Sequence, residues 1–257
     1  MNKPLFFSAL CCISFISTAE ETNEDVSPIS ASAELGLLYK TGNTRSADIK
    51  TGFDIKYEKD VWRSILAFDL LSKKTEKTDV LGEDLFETTD QKWTLESKTN
   101  YTLDPNGKNY IYGDIAYEDN RFSGFENQSS ISAGWGREWH KTQTSSLFAD
   151  IGPGYKHDVT RPTDSAESET FSDFIIQAQA LYVHKINEHV EFKQTLSAKY
   201  APKSGENSIY KAESSITTKM IDSLALKFSV IIDHNTEVKE GTKRTDTQTA
   251  ATLVYSF

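Results

Sequence analysis

Asp246-Thr-Gln-Thr-Ala-Ala-Thr-Leu-Val-Tyr-Ser-Phe257 is the stretch from which the rest of this sequence is read. Thr247, Thr249, Ala251, Leu253, Tyr255 and Phe257 fall on one face at period two, and Gln248, Ala250, Thr252 and Ser256 make a smaller or more polar opposite face. The stretch is a strand with one apolar side. Ending on an aromatic residue in mid-strand, it needs a neighbour on each edge. The closing strand of a barrel has two such neighbours; an edge strand of a soluble sandwich does not.

Eleven more alternating segments precede it from Ser30 onward, each about ten residues long, the length of a tilted membrane strand. The clearest sets Ala47, Ile49, Phe53, Ile55 and Tyr57 against Asp48, Lys50, Gly52, Asp54, Lys56 and Glu58. The eighth, Phe174 to Val183, is ambiguous, because Leu181 and Val183 oppose Ile176 and Tyr182. Links after even-numbered segments are short, as at Glu58–Asp60, Asp104–Lys108 and Ile221–Ser223. Those after most odd-numbered segments are longer and polar: Lys73–Asp90, Asp119–Gln128, Asp158–Thr170, Ala201–Ser208 and Asn235–Thr245. An even number of antiparallel strands with tight turns at one end and long loops at the other is the outer-membrane pattern, turns periplasmic and loops outside. Aromatics sharpen it: Tyr57, Trp62, Tyr101 and Trp139 fall near the turn ends and Tyr39, Trp93, Tyr117 and Tyr155 near the loop ends, as two interfacial girdles do.

Met1–Ala19 carries Lys3, an apolar run from Leu5 to Ile16 and the small residues Ser17-Thr-Ala19, so a cleaved signal peptide is expected there. Residues 20–29 read as a flexible periplasmic lead and 30–257 as the barrel. Both cysteines, Cys11 and Cys12, lie in the leader, which removes disulfides and thiolate chemistry from the mature chain. Cleavage takes Lys3 alone from the 28 basic residues and none of the 38 acidic ones, so the formal charge moves from −10 to −11. That balance excludes nucleic acid as a partner. No later segment approaches the length of a spanning helix, and mean hydropathy is −0.50; a membrane is crossed, if at all, as a closed barrel.

Leu35-Gly-Leu-Leu-Tyr-Lys-Thr-Gly-Asn-Thr44, Tyr117-Glu-Asp-Asn-Arg-Phe-Ser-Gly-Phe125, Ser132-Ala-Gly-Trp-Gly136 and Ile151-Gly-Pro-Gly-Tyr155 resemble the salt-induced outer-membrane protein family, a bacterial domain of unknown function, over about Ser30 to Phe257. The resemblance implies an outer-membrane barrel, and the family name suggests a link to salt or osmotic stress; it brings no catalytic residues. The ending at Tyr255 and Phe257 resembles the terminus that such barrels present to their assembly machinery. Outer-membrane lipid and lipopolysaccharide are the remaining expected partners.

Inside a barrel, Asp48, Lys50, Asp54, Lys56, Glu96, Lys98, Glu138, Asp150, Glu191, Lys193, Lys211 and Glu213 would line the lumen. A twelve-stranded barrel lies between those filled by their own side chains and open porins. These mixed charges either pair across the interior and close it, or border a narrow path for small ions or solutes. Gly134, Gly136, Gly152 and Gly154 also project inward, where missing side chains favour tight curvature.

No enzyme is expected. His140, His157, His184, His189 and His234 have no serine two residues away on the same face, and no Gly-x-Ser-x-Gly elbow occurs, although a serine on an adjacent strand, for instance beside His234, would revive an outer-membrane lipid hydrolase. Acidic loop residues such as Glu87, Asp90, Asp158 and Glu169 lack fixed metal-ligand spacing, so neither metal nor cofactor is expected. A soluble periplasmic ligand-binding β-sandwich is the other competing class. The sequence describes a closed antiparallel transmembrane β-barrel of about twelve strands in the bacterial outer membrane, either a narrow porin-like channel or a structural envelope protein.

Overall fold

The period-two segments form twelve antiparallel strands in a computed structural model that describes residues 27–40, 46–78, 84–104, 107–121, 123–162, 167–238 and 243–257. The signal peptide and Gly42-Asn43 lie outside the described residues. The strands are β1 (Ile29–Lys40), β2 (Ser46–Lys59), β3 (Trp62–Thr78), β4 (Asp84–Thr102), β5 (Asn109–Asn120), β6 (Phe125–Lys141), β7 (Ser145–Thr160), β8 (Thr170–Lys185), β9 (Val190–Tyr200), β10 (Ile209–Ile221), β11 (Leu224–Asn235) and β12 (Thr245–Ser256). Each pairs with the next, and β12 pairs with β1, so the sheet closes on itself. Closure leaves no sheet edge to water or lipid where the ladders run, which lets a β-sheet cross a bilayer.

Which side chains are buried decides between a membrane barrel and a soluble sandwich. Lys156 and Asp158 are 1 % exposed, Asp114 2 % and Gln177 0 %, whereas Leu37 is 71 % exposed, Ile115 58 % and Ile131 56 %. A water-soluble core inverts that distribution. The apolar exterior and polar interior make this a membrane-spanning barrel of the outer-membrane type. Aromatic pairs mark both rims of the exterior band. Trp62 meets Tyr101 edge-on at 4.9 Å near the turns, and Trp93 meets Tyr117 at 4.9 Å towards the loops.

Two expected features change. The link expected at Lys73–Asp90 is mostly hairpin, because β3 and β4 stay paired out to Thr78↔Asp84; that between Asp119 and Gln128 shrinks to a turn between Asn120 and Phe125. Turns and loops therefore alternate less strictly than the sequence suggests. Beyond a membrane both faces of a hairpin are wet, so the apolar period disappears while the backbone ladder continues. The ambiguity of β8 also resolves: Phe174 and Ile176 are exposed outward, while Leu181 pairs with Phe148 on the inner wall.

The inward glycines shape the sheet between β6 and β7. A Cβ at Gly134 would lie 2.6 Å from the Gly152 Cα, and one at Gly152 would lie 2.5 Å from the Gly134 Cα. No side chain fits between backbones this close. Pro153, beside them, contributes no ladder donor, and the β6–β7 register passes from Ser132↔Gly154 directly to Trp135↔Ile151.

Candidate functional site

Because side chains alternate, each strand sends one row of residues into the lumen, and the charges there meet across it. At the turn end the Arg63 guanidinium lies over the Phe148 ring, 5.5 Å from its centroid, joining β3 to β7. Next, Lys98 Nζ donates to Asp150 Oδ2 at 2.7 Å and to Gln179 Oε1 at 2.5 Å, and sits 4.7 Å from the Tyr112 ring centroid. Tyr110 OH donates to the same Asp150 oxygen at 3.1 Å. A level further out, Gln177 Nε2 donates to Asp114 Oδ1 at 3.2 Å and Lys199 Nζ to Ser130 Oγ at 2.8 Å. Near the loops, Lys156 Nζ lies 2.6 Å from Asp158 and 3.3 Å from Asp173. Lys92 Nζ lies 3.2 Å from Glu118 and 2.9 Å from Asp233, linking β4 to β11.

Most of these contacts tie the inner rows of β4 to β9 together at successive heights, while Arg63 comes from β3 and Lys92 reaches on to Asp233 of β11. Other lumen charges have more water around them. Lys56 of β2, Asp69 of β3, Glu96 of β4 and Lys193 of β9 are exposed, and Lys50, Asp54, Glu191, Lys211 and Glu213 are half-buried. Lys227 Nζ lies 2.8 Å from Glu34 and 3.6 Å from Glu213. Lys211 sits in the field of the Asp233, Glu118, Glu213 and Glu96 carboxylates.

Of the lumen residues expected from the sequence, Lys98 and Asp150 meet directly, and Glu213 joins the Lys227 group. Glu138 stands at the rim, where Lys141 approaches it at 3.4 Å. Asp48 is half-buried towards the loop end of β2. Lys92, Asp233, Glu34 and Gln177, which complete the crossings, were missing from that set. Lys92 adjoins the outward Trp93, so strict alternation from that tryptophan would have turned it inward.

Described loop residues tie neighbouring strands together at this end. Arg161 N donates to the Gly124 carbonyl at 2.9 Å, and Asn207 Nδ2 donates to Asn235 Oδ1 at 2.8 Å. In the β9–β10 loop Lys203 Nζ lies 2.6 Å from Glu206 Oε1. The hydrogen bond from Lys203, then one with Asp173, holds the Glu206 carboxyl below its usual range. A depressed carboxyl stabilises the folded loop above the unfolded value of about 4.3, and that contribution disappears as pH falls through the lower folded value. Backbone hydrogen exchange at Gly205–Glu206, corrected for intrinsic rates, should therefore speed up on acidification below about pH 4. Lys203→Gln should flatten this pH dependence; an unchanged profile would contradict the role of the pair.

Two histidines meet serines. His157 Nδ1 lies 2.8 Å from Ser172 Oγ on the exterior of neighbouring strands, and His140 Nε2 lies 3.2 Å from Ser145 Oγ at the β6–β7 turn, while His234 Nδ1 meets Thr245 Oγ1 and not a serine. Among the described residues no hydrogen bond orients the other ring nitrogen of His140 or His157, as a triad's third member would. Among the same residues no three His, Cys, Asp or Glu side chains are grouped to hold a metal ion.

The family model described as "Protein of unknown function, DUF481" matches residues 33–257. The uncharacterised protein YdiY of Escherichia coli (strain K12) is 23 % identical over 233 residues, covering 90 % of this chain and 84 % of its own length. Among solved structures, an outer-membrane channel from Pseudomonas putida F1 aligns with a TM-score of 0.49 at 8 % identity, covering 93 % of this chain and all of that one. The translocator domain of the autotransporter NalP from Neisseria meningitidis aligns with a TM-score of 0.47 at 9 % identity, covering 88 % and 87 % of the two chains.

Proposed function

We propose, from the premise that the chain belongs to the family described as "Protein of unknown function, DUF481", that this outer-membrane barrel is a narrow channel for small ions. One observation carries the reading: Lys92–Asp233 and Lys98–Asp150 cross the lumen, while Lys56, Asp69, Glu96 and Lys193 remain exposed within it. The crossings exclude a wide pore. The exposed charges give an ion substitutes for its hydration shell along a slot beside them.

The short turns face the periplasm and the loops face outward; Met1–Ala19 is the cleaved leader, residues 20–29 the periplasmic lead, and the Tyr255 and Phe257 ending engages the assembly machinery. Loop carboxylates face lipopolysaccharide, and expression under salt or osmotic stress fits a path this narrow. No catalytic role is assigned.

Single-channel recording of the refolded protein in a planar bilayer tests the reading. Small discrete steps are expected, with the reversal potential moving towards cation preference in Lys193→Glu and Lys50→Glu. Silence from protein shown to be folded and inserted would overturn it in favour of a closed structural barrel.

A further inference from the structure

The inward glycines of β6 and β7 put a bare floor between the side chains of β5 and β8. The registers set out two rungs across it: Asp114, Ser132, Gly154 and Ile175 in one, and in the next Tyr112 opposite Gly134 with Gly152 opposite Gln177. With no side chain between them, Gln177 Nε2 reaches over to Asp114 Oδ1 at 3.2 Å. The floor itself carries oxygen. The Ile151 and Ala133 carbonyl oxygens come to where inward Cβ atoms at Gly134 and Gly152 would stand, so both lie towards the lumen side of the sheet.

Four side-chain oxygens stand over this floor: Asp114 Oδ2, Gln177 Oε1, Ser132 Oγ and Tyr112 OH. Each residue is at most 4 % exposed, and among the described residues none of the four atoms has a hydrogen-bond partner. Tyr112 OH lies beside Ser132 without the geometry of a hydrogen bond. Buried polar atoms are almost always partnered, and each one left out is costly. A single shared partner would satisfy all four.

Charge decides the sign of that partner. Lys98 is held by Asp150, Lys156 by Asp158 and Asp173, and Lys199 donates to Ser130. Among the described residues no ammonium or guanidinium forms an ion pair with Asp114, and a buried carboxylate without a counter-charge is expensive. An anion would meet only more oxygen. A cation meets one carboxylate, two hydroxyls, an amide oxygen and two backbone carbonyls, the hard donors that such ions prefer.

We propose that Asp114, Gln177, Ser132 and Tyr112, with the Ala133 and Ile151 carbonyls beneath them, bind a dehydrated sodium ion that ties β5 to β8 over the glycine floor. One carboxylate balances one charge, whereas Ca²⁺ sites usually gather several and Mg²⁺ keeps much of its water. The enclosure favours sodium over the larger potassium ion. This site belongs to the packed side of the lumen and holds its ion whether or not the barrel conducts.

Urea unfolding of the refolded protein in detergent, at constant ionic strength in sodium, potassium or choline chloride, tests the site. Only variants that keep the unboiled gel mobility of a folded barrel are compared. The native midpoint should be higher in sodium than in choline, with a saturating dependence on sodium, as binding to the folded state requires, and potassium should act more weakly. Asp114→Asn should unfold at the same urea concentration in all three salts, while Glu191→Gln, which removes a lumen carboxylate on β9, should respond as the native protein does. The sodium NMR line reads the folded state directly: native protein should broaden it several-fold more than Asp114→Asn. Equal native midpoints in the three salts, or equal line broadening by native protein and Asp114→Asn, would overturn the site and leave these oxygens to water or to a proton on Asp114. Potassium acting as strongly as sodium would overturn the assignment to sodium. Gln177→Glu adds a second carboxylate to the same shell and should make calcium chloride more stabilising than sodium chloride; a response that stays with sodium would overturn the place of Gln177 in the shell.

Discussion

Gly152→Leu is expected to leave the protein unable to form a barrel that resists unfolding in unboiled gels, whereas Gly113→Val inserts like the native chain. Gly113 lies on the outer face of β5 and Gly152 on the inner face of β7, and their surroundings differ. A Cβ at Gly152 meets the Ala133 carbonyl and lies 2.5 Å from the Gly134 Cα, while one at Gly113 meets nothing within 4 Å. Overpacking against side chains costs about 1–3 kcal/mol because they can change rotamer. Here the obstacle is the neighbouring backbone: the β6–β7 register passes from Ser132↔Gly154 directly to Trp135↔Ile151, and relief requires those flanking pairs to part. Comparing folded fractions of the two variants in detergent checks this, and equal folding would show that close approach at Gly134 and Gly152 does not set the curvature.

Lys92→Met should be strongly destabilising. The ammonium is held by Asp233 and Glu118, and its side chain is 8 % exposed against 13 % and 24 % for theirs. Removing one partner of a buried pair strands the others, at a cost of about 3–5 kcal/mol. The water in the lumen places this site towards the lower end. Lys92→Met combined with Asp233→Leu should recover much of the loss, since two apolar groups of similar volume replace a pair that was expensive to desolvate. Urea unfolding of the three proteins in detergent measures both steps. If the double variant is no better than Lys92→Met, the two residues do not act on each other across the lumen.

Most of the barrel was legible because membrane strands carry two opposite environments at period two, and the β12 pattern from Thr247 to Phe257 showed this plainly. Legibility failed where environments merge. Thr75 to Thr78 is polar on both faces because the hairpin there has left the bilayer, and Leu181 and Val183 are apolar on the inner face because they pack beside Phe148. The lumen was readable as a set of inward charges but not as pairs. Lys98 and Asp150 are 52 residues apart, and Lys92 and Asp233 are 141 apart; no local spacing shows which strands face one another across a closed ring.

The central claim is that the apolar faces of these strands meet lipid and the charged faces meet water inside a narrow lumen. Single cysteines placed along β9, whose inner row is Lys193, Thr195 and Ser197 and whose outer row is Phe192, Leu196 and Ala198, test it most directly through labelling by a charged, membrane-impermeant thiol reagent in vesicles. Labelling at 193, 195 and 197 with protection at 192, 196 and 198 is the predicted pattern. Protection inside with labelling outside would contradict it, and would mean that the barrel buries its charges in a dry interior and shows its apolar face to water.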